Sequence, residues 1–511
     1  MAAPDESVIA AGTAAVAAGA LLFVTLPPAD AQTNERSAGS PDPAAAGPYA
    51  VASLDYTLGD AAFRVPGYLV EPPWDWDGDW ENPDLPEAEI ELTGNVHYPT
   101  SADGASPLVV LLHGYWTTCA DREAADIAAA REAVLGWEDI YDDPEWQNAM
   151  GRLMQWPCVP GVSPLPSYRG YDHLAQRLAS HGMVVVSISA NGVNAASMNG
   201  ADNARSLLIN KHLEMWSELT RTGGGELAGR LTDPQTGAAA TVDFTGRIDL
   251  SRVGTMGHSR GGRAVAWHAA DVHRDELPAG VRIAGVLSLA AAGAGTATNE
   301  GSPWAPMYRV TSAPLAVWMG WCDNFQGEDY IDLATGATSK PIYSWYVDGA
   351  NHNFLNTQWS PSSGQVTAHD DFEEFYGDLR PGPGLCFNPE RKRPPGGWPQ
   401  DPDVGDTEDG DTDVGDTEDG DPAYGGGREG SDPDQGDPDG EPTWDPVDDP
   451  DVRVVRQLTE EEQRQVHVGY ATAFFRHTLL GDHRFEAVIS GERHPYATIT
   501  DVDATRIDPQ R

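Results

Sequence analysis

The stretch VGTMGHSRGGRAVAW, residues 253–267, decides how the whole chain is interpreted. A short apolar run leads into GHSRGG (257–262), and helix-forming residues follow it. The pattern G-x-S-x-G is typical of a tight turn that exposes a serine between a strand and a helix. Because the chain contains 55 glycines among 511 residues, chance matches to this pattern are common, and the surrounding sequence must decide its meaning.

Apolar and amphipathic segments alternate on both sides of this turn. Continuous apolar runs of strand length occupy 107–114, 183–189 and 314–323, as in buried parallel strands. Apolar residues recur at helical spacing in 171–182 and 201–219. This alternation predicts an α/β fold in which helices flank a mostly parallel central sheet.

Within such a fold, Ser259 has the surroundings of a nucleophile. A tight strand-to-helix turn leaves no room for Cβ atoms, and Gly257 and Gly261 meet that need. The helix that follows directs its amino-terminal N–H groups toward the turn, which favours developing negative charge. We therefore expect Ser259 to attack a carbonyl carbon.

A serine hydroxyl is a weak nucleophile unless a histidine, itself held by a carboxylate, accepts its proton. The chain offers Asp323 directly after an apolar strand and His352 in the loop after the next strand. In hydrolases with this turn the triad follows the order serine, acid, histidine, which Ser259, Asp323 and His352 reproduce. The weaker alternatives are Asp329 and Asp332, further from a strand end, His369 in the acidic run HDDFEEF, and His258, which is expected to point away from the serine.

A developing oxyanion needs two backbone N–H groups aimed at it. One is expected from Arg260, the residue after the nucleophile. The other is expected from Tyr115 in HGYW (113–116), the loop that follows an apolar run. A plain turn that ends the strand at this loop is the alternative interpretation.

Four segments together resemble the α/β-hydrolase superfamily, in its branch of secreted bacterial serine esterases and lipases. The elbow is similar to that of chlorophyllases, and the arrangement is similar to dienelactone-hydrolase-like and cutinase-like enzymes. The resemblance implies ester cleavage through an acyl-enzyme, without a cofactor, over roughly residues 50–390 plus a late helix. Long insertions at 121–170 and after the histidine depart from the family pattern. The segments are LLHGYW (111–116), GHSRGG (257–262), GWCD (320–323) and GANHNF (349–354).

An even number of cysteines in a chain expected to be exported predicts two disulfides. Pairing neighbours along the chain gives Cys119–Cys158 and Cys322–Cys386, and four buried free thiols are the alternative. In the resemblance to hydrolases, the second bridge would fasten the loops that carry Asp323 and His352. No cysteine has metal-ligand spacing, so no metal site is predicted.

Three tryptophans lie in or near the expected catalytic loops. Trp116, Trp321 and Trp359 are expected to form an apolar wall for the acyl group of a substrate. Ordinary packing is the alternative, because tryptophan is mostly buried in folded proteins.

The charge balance excludes some partners. The chain has 79 acidic and 32 basic residues, a net charge of −47, which disfavours nucleic acid and anionic membranes as partners. Between 401 and 450 there are 20 acidic residues and one basic residue, Arg428. Self-repulsion and the lack of apolar residues predict that this segment is disordered, with weak calcium binding as an alternative role.

The expected organisation follows from these composition changes. Residues 1–31 are expected to be a signal peptide cleaved after ADA (29–31), or alternatively a membrane anchor. A linker at 32–48, a hydrolase domain at 49–390 and an acidic insertion at 391–451 would follow. Residues 452–511 are expected to contribute a helix that packs back on the domain, followed by a tail.

We therefore expect a secreted or otherwise extracytoplasmic serine hydrolase that cleaves carboxylic esters, acting as a monomer on small-molecule or polymeric substrates. No cofactor and no integral membrane partner are expected. Hydrolysis of amides or peptides, or acyl transfer, by the same triad is one alternative. A non-catalytic, calcium-dependent surface protein is the other.

Overall fold

The computed structural model describes residues 42–70, 85–135, 137–197, 201–294, 302–323, 327–377, 380–388 and 452–509, and all of these belong to one compact unit that begins at Asp42. The expected signal peptide (1–31), part of the expected linker and the acidic segment 391–451 lie outside the described residues. Residues 42–48 of the expected linker contact the rest of the unit. For example, the Gly47 N–H donates to Ser180 Oγ at 2.8 Å.

Strands form where apolar residues can be buried on both faces of a sheet. Along one central strand every residue from Ser106 to Leu112 is buried. The strands are β1 (Val51–Thr57), β2 (Phe63–Leu69), β3 (Glu87–Ile90), β4 (Thr93–Pro99), β5 (Ser106–Leu112), β6 (Val184–Ile188), β7 (Leu231–Thr232), β8 (Ile248–His258), β9 (Ile283–Leu289), β10 (Leu315–Cys322), β11 (Ile342–Asn351), β12 (Leu385–Phe387), β13 (Val454–Arg456) and β14 (Val502–Ile507).

Helices form where apolar residues recur at helical spacing. The longest C-terminal helix begins with a capping box in which Thr459 and Glu462 satisfy each other's backbone N–H groups. The helices are α1 (Arg122–Glu132), α2 (Trp137–Ile140), α3 (Pro144–Met154), α4 (Asp172–Ser180), α5 (Asn191–Ala196), α6 (Asp202–Thr222), α7 (Arg260–Ala269), α8 (Asp329–Ala334), α9 (Asp371–Tyr376), α10 (Glu460–Leu480) and α11 (Glu486–Ile489). In α1, α3, α9 and α10 a polar side chain caps the first turn.

A ten-stranded sheet with the order β14-β11-β10-β9-β8-β5-β6-β4-β1-β7 forms the centre of the molecule. The six strands from β11 to β6 in this order are all parallel, and the outer strands pair antiparallel. The prediction of an α/β fold with a mostly parallel sheet is confirmed. Because parallel strands end at one edge, the loops after β5, β8, β10 and β11 meet there.

Both faces of this sheet are covered by helices. Along β5, Val110 joins an apolar cluster that includes residues of α6 and α7, whereas Val109 joins a second cluster with residues of α4 and α10. In the second cluster Phe474 of α10 packs beside Trp345 of β11. The helix that follows the acidic segment is therefore part of the main core.

A two-stranded ribbon, β12 with β13, stands beside the sheet. Phe387 pairs with Val454, so the strands on either side of the segment 389–451 are paired with each other. A disulfide from Cys386 in β12 to Cys322 in β10 attaches this ribbon to the sheet. Within the described part of the chain, no helix has the length and apolar character needed to span a membrane.

Candidate active site

The candidate nucleophile Ser259 sits in a strained turn between β8 and α7. Its backbone has φ 59° and ψ −126°, a conformation that costs a non-glycine residue about 1–3 kcal/mol. The turn persists because the Ser259 N–H donates to Leu289 O, and Ser259 O accepts from Gly262 and Arg263 N–H. The serine is only 6% exposed.

The glycines of this turn are required by close packing. A Cβ atom on Gly257 would collide with the carbonyl oxygen of Gly261. A Cβ atom on Gly261 would come within 2.7 Å of the carbonyl oxygen of Leu112 at the end of β5. Both expected elbow glycines therefore sit where no larger residue fits, as a tight strand-to-helix turn demands.

The structure brings Asp323 and His352 together. β10 ends at Cys322 and its neighbour β11 at Asn351, so each residue is the first beyond its strand. His352 Nδ1 lies 3.1 Å from both carboxylate oxygens of Asp323, and both side chains are buried. If Nδ1 carries the proton and donates to Asp323, Nε2 is left as the basic nitrogen.

His258 is a neighbour of both the Asp323–His352 pair and Ser259. Its ring centroid lies 4.7 Å from that of His352, and Ser259 is the next residue along the chain. His258 Nδ1 also lies 2.9 Å from the hydroxyl of Tyr171. Burial lowers the pKa of His258 well below its usual value, so the ring is neutral and packs beside the candidate base.

The loop after β5 is held in one orientation by two side chains. His113 Nδ1 donates to Gly114 O at 2.9 Å, and Asn194 Nδ2 donates to the same oxygen at 3.0 Å. His113 Nε2 accepts from the Ala190 N–H, and burial lowers the pKa of His113 to about 3. Because a trans peptide is planar, the Tyr115 N–H points opposite to this pinned carbonyl.

This loop packs directly against the candidate nucleophile. A Cβ atom on Gly114 would collide with Cβ of Ser259 and would lie 3.0 Å from its Oγ. The peptide between Gly114 and Tyr115 is therefore adjacent to the serine. Arg260, which was expected to supply the second N–H group, is the first residue of α7.

A buried arginine supports the loop from behind. Arg205 of α6 donates to Asn194 Oδ1, while its Nε has no hydrogen-bond partner among the described residues. Burial lowers the pKa of Arg205, whereas the charge of nearby Asp202 acts to raise it. A charge-assisted bond polarises the Asn194 amide, which strengthens its donation to the loop.

Two aspartates of α9 and its cap hold the histidine loop, and the sequence analysis did not identify them. Asp371 Oδ2 accepts from the His352 N–H at 2.9 Å, and Oδ1 accepts from the Asn353 N–H at 3.3 Å. Asp370 Oδ1 accepts from Asn351 Nδ2 at 3.2 Å. Burial, together with the charge of Asp323, raises the pKa of Asp371 above its usual range. These residues lie in the acidic run HDDFEEF, which by sequence resembles a solvated surface.

A further residue that the sequence analysis did not identify comes from beyond the acidic segment. Gln463 of α10 donates through Nε2 to Asn351 O at 2.6 Å, and its Oε1 accepts from the Asn351 N–H at 3.0 Å. Both residues are fully buried. The end of β11, and with it the position of His352, is thus fixed by a helix more than a hundred residues later in the chain.

The three tryptophans of the expected wall have different surroundings. Trp116 stacks on Trp359 with ring centroids 5.3 Å apart, and Trp359 lies 4.9 Å from His258. Trp359 is 0% exposed and Trp321 is 1% exposed, so both are packing residues in this structure. Among the three, Trp116 is the residue that is half-buried and not fully buried.

The four cysteines form the expected pairs, Cys119–Cys158 and Cys322–Cys386. The second bridge is adjacent to Asp323, whose carbonyl oxygen also accepts from Asn388 Nδ2 at 3.3 Å. The alternative residues are placed differently: Asp329 Oδ2 accepts from the Ala294 N–H, Asp332 belongs to α8, and the His369 ring lies 5.2 Å from Trp116.

No model of a known protein family matches the chain, and no curated protein matches it. The function must therefore be inferred from the chemistry of the site.

Proposed function

We propose that this protein is a serine hydrolase of the α/β-hydrolase class that cleaves carboxylic esters. One observation carries the proposal. A serine in a strained strand-to-helix turn lies at the sheet edge that also bears a buried, hydrogen-bonded Asp323–His352 pair. A serine nucleophile requires a histidine base that a carboxylate holds in place, and a buried Asp–His pair meets this requirement.

The order of the strands supports the same class. Ser259 follows β8, Asp323 follows β10 and His352 follows β11, and these strands run parallel within one sheet. Hydrolases with a nucleophile elbow have the triad order serine, acid, histidine along the chain. The first oxyanion donor in that class follows the nucleophile, and the second comes from an earlier strand end, as do Arg260 and Tyr115 here.

The reaction would proceed in two halves. Ser259 Oγ attacks the ester carbonyl while His352 takes the hydroxyl proton, and the backbone N–H groups of Tyr115 and Arg260 stabilise the oxyanion. His352 then gives the proton to the leaving alcohol. Water, activated by the same histidine, attacks the acyl-enzyme and releases the acid. Asp323 fixes the imidazole tautomer throughout, and this mechanism uses no cofactor.

We also propose that the protein works outside the cytoplasm. Disulfides persist in oxidising compartments, and the two disulfides of this chain support such a location. Trp116 supports an apolar acyl group on the substrate, because this half-buried residue stacks on Trp359 beside the site.

The test of the function is Ser259→Ala in the full chain, assayed with p-nitrophenyl esters of graded acyl length and with a polyester film. We expect kcat/KM to fall by about a thousandfold or more, because no other group supplies the nucleophile. Labelling by a fluorophosphonate probe should be lost as well.

The matched control is Ser251→Ala, which changes an exposed serine at the start of the same strand. Its activity and labelling should equal those of the unmodified protein. An active, probe-labelled Ser259→Ala variant would contradict the proposal.

A further inference from the structure

Two histidines and a glutamate gather at the C-terminal end of α10, outside the site described above. His477, His483 and Glu486 each offer one ligand atom, and the three atoms lie within 4.8 Å of one another. Over the described ranges of the chain, this is the one group of three metal-ligating side chains found at such short separation. Five residues separate His477 from His483, which is within the histidine spacing typical of zinc sites.

A sharp reversal of the chain brings these residues together. α10 ends at Leu480, and Gly481 with φ 65° turns the chain back through a short 3-10 turn into α11. Phe485 in that turn is fully buried and anchors it. Asp482 is held by Arg476 and Arg484, so its carboxylate is already paired with two cations. The three candidate ligands therefore stand on an ordered scaffold.

The separation of two ligand atoms suits a tetrahedral ion. His483 Nδ1 lies 3.3 Å from Glu486 Oε2. Tetrahedral zinc with bonds of about 2.0–2.1 Å places its ligand atoms about 3.3 Å apart. One edge of the tetrahedron thus has the required length, and the His483 side chain, 69% exposed, can rotate to adjust the others.

Arg506 of β14 orients the carboxylate. Its guanidinium donates to Glu486 Oε1, which leaves Oε2 for the histidine side. Carboxylates that bind metals are commonly fixed in this way through their second oxygen. The same contact would connect a bound ion to the edge strand of the main sheet.

His477 has a ring nitrogen that makes no hydrogen bond within the described residues. This atom, Nδ1, is shielded from solvent.

We propose that His477, His483 and Glu486 form a site for a divalent transition metal, with zinc as the preferred ion and water as the fourth ligand. Two imidazoles and one carboxylate are common zinc ligands, whereas calcium and magnesium prefer oxygen donors throughout. The ion ties the end of α10 to α11 and, through Arg506, to β14. This inference is independent of the proposed hydrolase function.

The experiment uses the full chain, stripped with a chelator and then titrated with zinc chloride. Calorimetry should give one zinc ion per chain with micromolar or tighter affinity, and Tm should rise when zinc is added, since the ion binds the folded state. His483→Gln removes an exposed ligand without disturbing the core, and we expect it to weaken zinc binding at least tenfold and to abolish the rise in Tm. His494→Gln, a change at an exposed histidine outside the cluster, should leave both unchanged.

Cations could also collect on the many carboxylates of this acidic chain, and calcium chloride serves as the comparison. The site requires that calcium produce no equivalent stoichiometric binding to the unmodified protein. Zinc binding that survives in His483→Gln, or that calcium reproduces, would assign the ions to carboxylates elsewhere and overturn the site. Absence of stoichiometric zinc binding to the unmodified protein would overturn it equally.

Discussion

At the scale of single residues, the candidate site depends on groups that hold His352 as much as on His352 itself. Asp323 contacts the ring, while Asp371 binds the backbone N–H of His352 and of its neighbour Asn353. Because both carboxylates are buried, the loop has two acidic contacts from different parts of the chain. The candidate triad residues could be predicted from strand ends and chain order, but Asp371 could not. Its acidic neighbours in sequence conceal a contact that only the folded loop creates.

Removing the Asp371 carboxylate should misplace the histidine loop. We expect Asp371→Ala to lower kcat about tenfold or more with little change in KM, because two buried N–H groups lose their acceptors, at a cost of about 1–3 kcal/mol each. Asp371→Asn keeps one acceptor and should be less impaired. Steady-state kinetics on a soluble ester measures both parameters.

Glu373→Ala, on the exposed side of the same helix, is the control and should be fully active. Equal activity of Asp371→Ala and the unmodified protein would show that the histidine loop does not need this contact.

At the scale of elements, short α5 and long α6 hold the candidate oxyanion loop from behind. Arg205 of α6 donates to Asn194 of α5, and Asn194 donates to Gly114 O. The sequence predicted the strand, the loop and the α6 helix, since each depends on local periodicity. It could not predict the relay, because Asn194 and Gly114 are 80 positions apart and nothing in either segment indicates the other. For the same reason the sequence could not predict the contact of Gln463 with Asn351, because the acidic segment separates these two residues along the chain.

Asn194→Asp separates the relay from simple packing. The new carboxylate would pair with Arg205 but would repel the carbonyl oxygen of Gly114, so the Tyr115 N–H should lose its orientation. We expect kcat to fall about tenfold to a hundredfold with Tm nearly retained, whereas Asn194→Ala should lower both. Kinetics and thermal unfolding of the two variants provide the comparison.

Asn203→Asp adds the same charge at an exposed position of α6 and is the matched control. If it impairs kcat as strongly as Asn194→Asp, added charge and not loop orientation would explain the loss.

At the scale of the whole molecule, buried neutral histidines make stability depend on pH. Burial lowers the pKa of His113, His173, His212 and His268 to about 3, from an ordinary value of 6.5. Between these values the unfolded chain binds more protons than the folded one. The free energy of unfolding therefore falls as the pH drops below 6.5, by up to about 1.4 kcal/mol per pH unit for each histidine.

His268 can be replaced by a residue that does not titrate but can still make the same hydrogen bond. His268 Nε2 lies 2.9 Å from Asn210 Oδ1, and a glutamine can donate to the same oxygen. We expect the free energy of unfolding of His268→Gln to fall less steeply between pH 6 and pH 4, because unfolding of the variant takes up about one proton fewer. Denaturant unfolding at several pH values measures this slope.

The exposed His494→Gln variant should keep the original slope. Parallel slopes for His268→Gln and the unmodified protein would mean that His268 does not titrate on unfolding.

The paired strands β12 and β13 have a consequence for how this protein can change over evolution or be engineered. Since Phe387 and Val454 are neighbours, we expect the pairing of these two strands to be compatible with different numbers of residues between them. Repeats there can be gained, lost or exchanged for an unrelated module while the junction stays closed. That junction is therefore a natural place to graft a binding tag or a second domain.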